Sequence, residues 1–128
     1  MRDFATEIGP VNAIAPEVLS ATATSGAIDL RGFNAAAVVI STGAIVGSGS
    51  FTPTVQESDT AAASGFTTVA AADMAGTLPA TLAANTTAKA SYIGNRRYIR
   101  VVLTRNSGTS VAAAAMVVRS RADSRPVA

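Results

Sequence analysis

Short runs of alternating apolar and polar residues, separated by turns rich in glycine, serine and asparagine, constrain the fold of this chain most. The run SFTPTVQESD, residues 50 to 59, is the clearest, because one face of an extended chain would carry Phe51, Pro53, Val55 and Glu57. A period of two is typical of a β-strand with one buried face. Proline lacks the N–H that a ladder needs, so Pro53 predicts a sheet edge or a bulge.

Six other runs carry β signals, and they lie at residues 26–33, 35–42, 66–74, 88–95, 97–105 and 111–121. The run at 35–42 is apolar on both faces, which is typical of a central strand or one covered on both sides. The run at 111–121 is alanine-rich and would suit a helix, but its β-branched valines favour a strand. We expect this strand to form a hairpin with the one before it. We also expect residues 88–95 to pair across Gly94 and Asn95 with the next strand.

The whole chain has the length of one domain, with 128 residues. About seven short strands predict an all-β fold, a single-domain β-sandwich or small barrel, over residues 21–122. Residues 1–20 hold Pro10 and Pro16 without a sustained apolar period, so we predict an extended N-terminal arm. We expect this arm to be protease-sensitive before assembly and dispensable for folding of the sandwich. Residues 123–128 are predicted to be an extended C-terminal tail.

The absence of cysteine and histidine excludes disulfides and removes the commonest general base and transition-metal ligand. Glu57 and Asp59 are candidates for paired carboxylates or calcium ligands, but their spacing at a strand end is more typical of a solvated strand-to-loop transition. No spacing supports a serine paired with Lys89, and the GSGS turn lacks the lysine and helix of a phosphate cradle. We therefore predict that the protein is not an enzyme, with no catalytic residues, no cofactor and no metal.

The surface is predicted to be poor in charge, because charged residues make up 14% of the chain, against about 25% in typical domains. The charges are also divided. Residues 1–88 hold two arginines and seven acids, a net −5, whereas residues 89–128 hold one lysine, seven arginines and one acid, a net +7. A surface of this kind favours an assembly subunit that is oriented against a partner. No apolar run is long enough for a membrane-spanning helix, and the start does not resemble a secretory signal.

The stretch GNRRYIRVVLT, residues 94–104, permits three interpretations: a nucleic-acid site, a contact edge of an assembly, or a strand with a solvated back. Arginines interleaved with tyrosines are compatible with phosphate and base contacts. The net charge of only +2 and the near absence of lysine favour protein docking instead. The candidate interface residues are Arg96, Arg97, Tyr98, Arg100 and Arg105.

The alternation in this stretch also predicts which side chains face the core. Ile99, Val101 and Leu103 share one face, which we expect to be buried. Tyr98 and Arg100 lie on the opposite face. Because the planar guanidinium suits carboxylates, we expect an arginine among residues 96, 97 and 100 to pair with an acid, from this chain or another.

The order AIDLRGFNAAAVVIS, FTPTVQESD, FTTVAAADMAG, RRYIRVVLT and a final alanine-valine strand resembles small structural proteins of tailed bacteriophages, encoded close to the major capsid protein. The resemblance covers about residues 26–120, and its most specific segments are residues 56–59 and 97–100. It implies a capsid decoration, or cement, protein that binds the major capsid protein in the virion, after assembly in the host bacterial cytoplasm. A homo-oligomer is expected, with a trimer favoured, and neither nucleic acid nor a membrane is an expected partner. The alternatives are a head–tail connector or tail component and, third, a nucleic-acid-binding or receptor-binding module.

Overall fold

Two antiparallel β-sheets form the protein, in a computed structural model that describes residues 2–123. The predicted all-β sandwich is confirmed, with ten strands instead of about seven. The strands are Gly9–Leu19 (β1), Ala23–Thr24 (β2), Ile28–Asp29 (β3), Phe33–Val46 (β4), Ser50–Ser58 (β5), Thr67–Thr68 (β6), Met74–Ala75 (β7), Thr87–Tyr92 (β8), Tyr98–Ser107 (β9) and Ser110–Ala122 (β10).

The first sheet has the order β1-β10-β4-β8-β7, and the second has the order β2-β9-β5-β6 with β3 also paired to β9. Single 3-10 turns occur at Ala5–Glu7, Ala63–Gly65 and Ala71–Asp73. Within residues 2–123 there is no helix long and apolar enough to cross a membrane. The predicted C-terminal tail lies outside the described residues except for Asp123.

The core lies between the sheets and is built from alternate residues of the long strands. In β10, Val111, Ala113, Ala115 and Val117 are buried, and the residues between them point away from the core. Strand β5 buries the face predicted from its alternation, with Phe51 fully inaccessible to solvent. Regular alternation therefore specifies the inner face of these strands.

The prediction that residues 1–20 form an arm outside the core is wrong for residues 9–19. They form β1, which pairs with β10 from Gly9 to Leu19, and Ile14 and Leu19 are buried. The register shifts twice, between Asn12 and Ile14 and between Ile14 and Glu17. These irregularities interrupt the period of two, and an edge strand tolerates proline, so the sequence of β1 resembles that of an irregular segment.

Both predicted hairpins are also wrong, although the strand at 111–121 is confirmed. Strand β8 pairs with β4 and β7, and β10 pairs with β1 and β4, so neither pairs with β9. The short turns on both sides of β9 therefore carry the chain from one sheet to the other. At the β9–β10 turn, Gly108 has φ +79°, and a Cβ there would overlap the carbonyl oxygen of Ser48. Only glycine permits this close approach of two turns.

Pro53 lies on the part of β5 that β6 does not cover, because β6 pairs only with Gln56 and Glu57. The predicted edge position of this proline is therefore confirmed.

Candidate functional site

Strand β9 orients its side chains as the sequence predicts. Ile99, Val101 and Leu103 are fully buried, and Tyr98 and Arg100 lie half-buried on the outer face of the second sheet. Hydrogen bonding to β5 on one side and to β2 and β3 on the other fixes this orientation. The predicted assignment of inner and outer faces is confirmed.

The structure brings four of the five candidate interface residues together and separates the fifth. Arg96 and Arg97 immediately precede Tyr98, where β9 begins, and Arg100 follows two residues later. Arg105 lies seven residues beyond Tyr98, about 23 Å away along an extended strand. Its guanidinium contacts the carbonyl oxygen of Gly108. Arg105 therefore belongs to the opposite end of the sandwich.

Arg97 forms a two-point ion pair with Asp29 of β3. Its Nε and Nη2 donate to the two carboxylate oxygens at 3.0 and 2.8 Å. The hydrogen bond from Arg97 lowers the pKa of Asp29 to about 2, although partial desolvation acts in the other direction. The backbone N–H of Arg31 donates to the same carboxylate. The same hydrogen bond raises the pKa of Arg97 above its ordinary value, so the pair is charged throughout the physiological range.

Arg96 contacts two acids at the end of β5. Its Nη1 is bonded to Asp59, and its Nε lies 3.8 Å from Glu57. The hydroxyl of Tyr92 donates to Glu57 at 3.1 Å and accepts the backbone N–H of Arg96 at 3.0 Å. Burial is the main cause that raises the pKa of Tyr92 to about 12. Glu57 and Asp59 therefore serve as ion-pair partners of Arg96.

Arg100 is held by a polar and an aromatic neighbour on the outer face of the second sheet. Its Nε donates to Gln56 at 2.7 Å, and its guanidinium lies 4.5 Å from the ring centroid of Phe66. The expectation that an arginine of this stretch pairs with an acid is confirmed by Arg96 and Arg97. The acids belong to the same chain. A role for the candidate residues in contacts with another chain stays a prediction.

Arg119 of β10 completes this arrangement, although no local pattern in the sequence points to it. Its Nη1 donates to the carbonyl oxygen of Asp29 at 3.1 Å, and its Nε donates to that of Gly9 at 3.0 Å. Its guanidinium lies 4.4 Å from the ring of Phe33. Arg119 thus ties the first sheet to the second at the end where β9 begins. We name this region, with Asp29, Glu57, Asp59, Arg96, Arg97 and Arg119, the charged end.

The Asp29–Arg97 pair makes stability depend on pH in a defined direction. Because folding lowers the pKa of Asp29 from 3.8 to about 2, the pair stabilises the protein above pH 4, and this contribution is lost as the pH falls through 2. Asp29→Asn is expected to lower the free energy of unfolding at pH 7 by about 1 kcal/mol or less, since both side chains are substantially exposed. Urea titrations at pH 7, 4 and 2 should show that the free energies of unfolding of wild type and Asp29→Asn converge as the pH falls. In an Arg97→Gln background the substitution should have less effect at every pH, and parallel pH curves for wild type and Asp29→Asn would contradict the assignment.

The outer faces of the two sheets differ in chemistry. On the second sheet, Thr52, Thr54 and Gln56 alternate outward along β5, and each is hydrogen-bonded within the chain. Asn106 adds a hydrogen bond to Thr52 at 2.8 Å. This face is polar, and its hydrogen bonds are made internally.

The outer face of the first sheet is mainly apolar. Cross-strand pairing aligns its outward residues in rows, one of which is Pro10, Val118, Ala37 and Ser91. The next row is Asn12, Met116, Val39 and Lys89. Lys89 is the only charged residue in these rows, and it is also the only lysine in the sequence. We name the outward side of β1, β10, β4 and β8, including these rows, the apolar face.

Large exposed apolar side chains border this face at both ends. Phe4 and Ile93, which are 61% and 59% exposed, line a shallow groove of about 490 Å³ beside Val118. Val18, 69% exposed, lies at the other end, where it pairs with Ala112. Contiguous exposed apolar surface of this kind marks interaction sites in soluble proteins.

Among residues 2–123, no group of three or more acidic, histidine or cysteine side chains is placed to hold a metal ion. The carboxylates of Glu57 and Asp59 are occupied by Arg96 in this structure.

Comparisons with known proteins find similarity in structure only. No family model and no curated protein matches the chain. The solved structure of the SPBc2 prophage-derived protein YomS is similar, with a TM-score of 0.50 and 15% identity, over 91% of this chain and 99% of that chain. A chain of the infectious bursal disease virus, Gx strain, has a TM-score of 0.45 and 14% identity, over 93% of this chain and 34% of that chain. The likeness to YomS shows a shared fold over nearly the full length of both chains.

Proposed function

We propose that this protein is a non-enzymatic structural component of a tailed-bacteriophage virion. More specifically, we propose a capsid decoration protein that binds the major capsid protein and stabilises the shell. The observation that carries the proposal is the contrast between the two sheets. One outer face is polar and internally hydrogen-bonded, and the other is apolar with exposed Met116 and Val18. A protein with such a face is suited to burial in an assembly.

Two further points support a phage virion as that assembly. The sequence resembles small phage head proteins over residues 26–120, and the fold is shared with a prophage-derived protein of similar length. A decoration protein stabilises a shell by adding buried area between shell subunits, which requires no chemistry of its own. The low charge content of 14% is suited to a protein whose surface is partly covered by copies of itself and by its partner.

We assign shell contact to the charged end together with the groove lined by exposed Phe4 and Ile93 beside it, and homo-oligomer contact to the apolar face. Arg96 and Arg97 are exposed at the start of β9, where acidic groups of a neighbouring protein can share their guanidinium donors. Exposed ion pairs contribute about 0 to 1 kcal/mol each. They would therefore select register and partner, while apolar burial supplies most of the affinity.

Attachment to empty shells tests this proposal. The purified protein is mixed with empty capsids assembled from the major capsid protein of the same viral genome, and bound protein is separated by gradient sedimentation. Saturable attachment is expected, and it should persist at about 1 M salt, where the Debye length is about 3 Å. Arg96→Gln should weaken attachment several-fold, whereas Arg2→Gln, an exposed arginine before the first strand, should not.

The other outcomes distinguish the alternatives. Attachment at a single vertex in electron micrographs would favour a connector or tail component. Tight DNA binding that weakens steeply with salt, without attachment to shells, would overturn the proposal in favour of a nucleic-acid module.

A further inference from the structure

The apolar face points to a specific occupant. We propose that it packs face to face against the apolar face of a second copy of this chain, in a dimer with twofold symmetry. This inference deepens the proposed function, because it rests on the homo-oligomer proposed there and specifies its contact. The reasons are the area of the face, the order of residues in its central row, and the blocked edge beside it.

The area of the face is close to what a stable dimer needs. Strands β1, β10 and β4 are 11, 13 and 14 residues long. With about 3.3 Å per residue and about 4.8 Å between strands, these strands together with the six residues of β8 present a plane of roughly 700 Å². Its accessible area is larger because side chains project from it. Standard interfaces bury about 800 Å² on each partner.

The central row of the apolar face, which contains Met116 and Val39, is complementary to the same row of a second copy rotated by 180°. It runs Asn12, Met116, Val39, Lys89 across four strands. A twofold axis parallel to the strands, between β10 and β4, places Met116 opposite Val39 of the second copy and Lys89 opposite Asn12 of the second copy. An axis across the strands would instead place Lys89 opposite Lys89, which is unfavourable. Charge therefore selects the parallel axis.

The polar ends of this row are available for such a contact. Within residues 2–123, the side chains of Asn12 and Lys89 make no hydrogen bond or ion pair, and both are exposed. In one chain they are three strands apart, about 14 Å, so they do not satisfy each other. In the dimer, the Asn12 carbonyl oxygen of one copy can accept from the Lys89 ammonium of the other.

Dimerisation by strand pairing at the free edge of β1 is disfavoured. The outer edge of β1 carries Pro10 and Pro16, and the strand is irregular near Ile14. Prolines and bulges are the features that keep an edge strand from adding another strand. A twofold, face-to-face contact also differs from the threefold expected from the sequence, because it brings identical patches together and a threefold interface joins unlike patches.

Sedimentation velocity with a matched pair of variants tests the dimer. Met116→Glu places a charge at the centre of the apolar face, and Thr104→Glu places the same charge on the exposed outer face of the second sheet. Wild type and Thr104→Glu are expected to be dimers at micromolar concentration. The dissociation constant of Met116→Glu should rise at least tenfold, since the carboxylate is desolvated at the centre of the contact and Lys89 of the second copy, one strand away, offsets only part of that cost. A monomeric or trimeric wild type, or a Met116→Glu protein that remains dimeric, would overturn the proposal.

A substitution that strengthens association excludes misfolding as the explanation. Asn12→Asp places a carboxylate opposite Lys89 of the second copy and should lower the dissociation constant about two- to five-fold at low salt. Asn12→Lys should raise it by a similar factor. Equal effects of the two substitutions would show that the row is not paired in this orientation.

The single lysine supplies an independent measurement that also separates this inference from the proposed function. Acylation of Lys89 by an amine-reactive ester, followed by peptide mass spectrometry, should be slow in the wild-type dimer and fast in Met116→Glu. A wild-type monomer that still attaches to shells would overturn the dimer and leave the decoration role intact. A dimer that does not attach to shells would support the dimer and overturn the decoration role.

Discussion

Deletion of residues 2–19 is expected to abolish cooperative folding of the protein. The deletion removes β1, including the buried side chains of Ile14 and Leu19, and it exposes the flank of β10 that β1 covers. Loss of a buried leucine or isoleucine side chain typically costs about 2–5 kcal/mol, and a whole domain is stable by only about 5–15 kcal/mol. A urea titration followed by circular dichroism should show no sigmoidal transition for this variant.

A shorter deletion provides the control. Removal of residues 2–7 takes away only the segment before β1, including exposed Phe4 and the turn at Ala5–Glu7. This variant is expected to unfold cooperatively near the wild-type midpoint. If the longer deletion also retains a wild-type midpoint, residues 9–19 are dispensable, and the interpretation of the N-terminus as an arm would be restored.

The sequence predicts strands well where each has one buried face and a regular ladder. Strands β5 and β9 satisfy both conditions from the Phe51–Arg105 pair to the Ser58–Tyr98 pair, and the structure confirms the predicted inner faces, including Phe51 and Ile99. Strand β1 satisfies neither, because two register shifts interrupt its alternation and its prolines resemble loop signals. The period of two arises because successive side chains point to opposite faces of the sheet. A bulge interrupts this alternation, so the sequence of a bulged strand does not show the period.

Strand pairing was harder to predict than strand position. Turn residues indicate that the chain reverses, but they do not specify which sheet receives the next strand. Gly94 and Asn95 lie between β8 and β9, which belong to different sheets, and the same holds for the turn at Gly108. Pairing is decided by which apolar faces must meet across the core, and this is a property of the whole chain.

The sequence predicts arginine–carboxylate pairing at the charged end, but it does not predict which acid pairs with each arginine. The guanidinium geometry indicated arginine–carboxylate pairing near the start of β9. Asp29, however, is 68 residues from Arg97 in sequence. The pairing of Ile28 with Ile99 and of Asp29 with Tyr98 brings them together. No local signal identifies such a contact.

The apolar face is visible in the sequence as a run in β4 that is apolar on both sides. Residues 35–42 are apolar on both sides, which predicts a central strand or one covered on both faces. Strand β4 is indeed central, but among residues 2–123 no element of the chain covers its outer side. Cover of this side by a second copy, as in the dimer proposed above, is compatible with the pattern.

Phe51→Ala is expected to be among the most damaging single substitutions in the sandwich. Phe51 is the largest fully buried side chain and lies on β5, which packs in the common core with Ile40 and Leu103. Truncating a buried phenylalanine to alanine costs about 3–5 kcal/mol, because transfer free energy is lost and a cavity remains. The midpoint of thermal unfolding should fall by roughly 10 °C or more.

Phe4→Ala removes the same atoms from a side chain that is 61% exposed, and so it isolates the effect of burial. Its free energy of unfolding should differ from wild type by about 0.5 kcal/mol or less. Both values are measured by urea titration at a protein concentration held constant, because a homo-oligomer has a concentration-dependent stability. Equal losses for Phe4→Ala and Phe51→Ala would mean that the inner face of β5 is not the centre of the core. A loss confined to Phe51→Ala would support the burial of β5 against the strands of the first sheet.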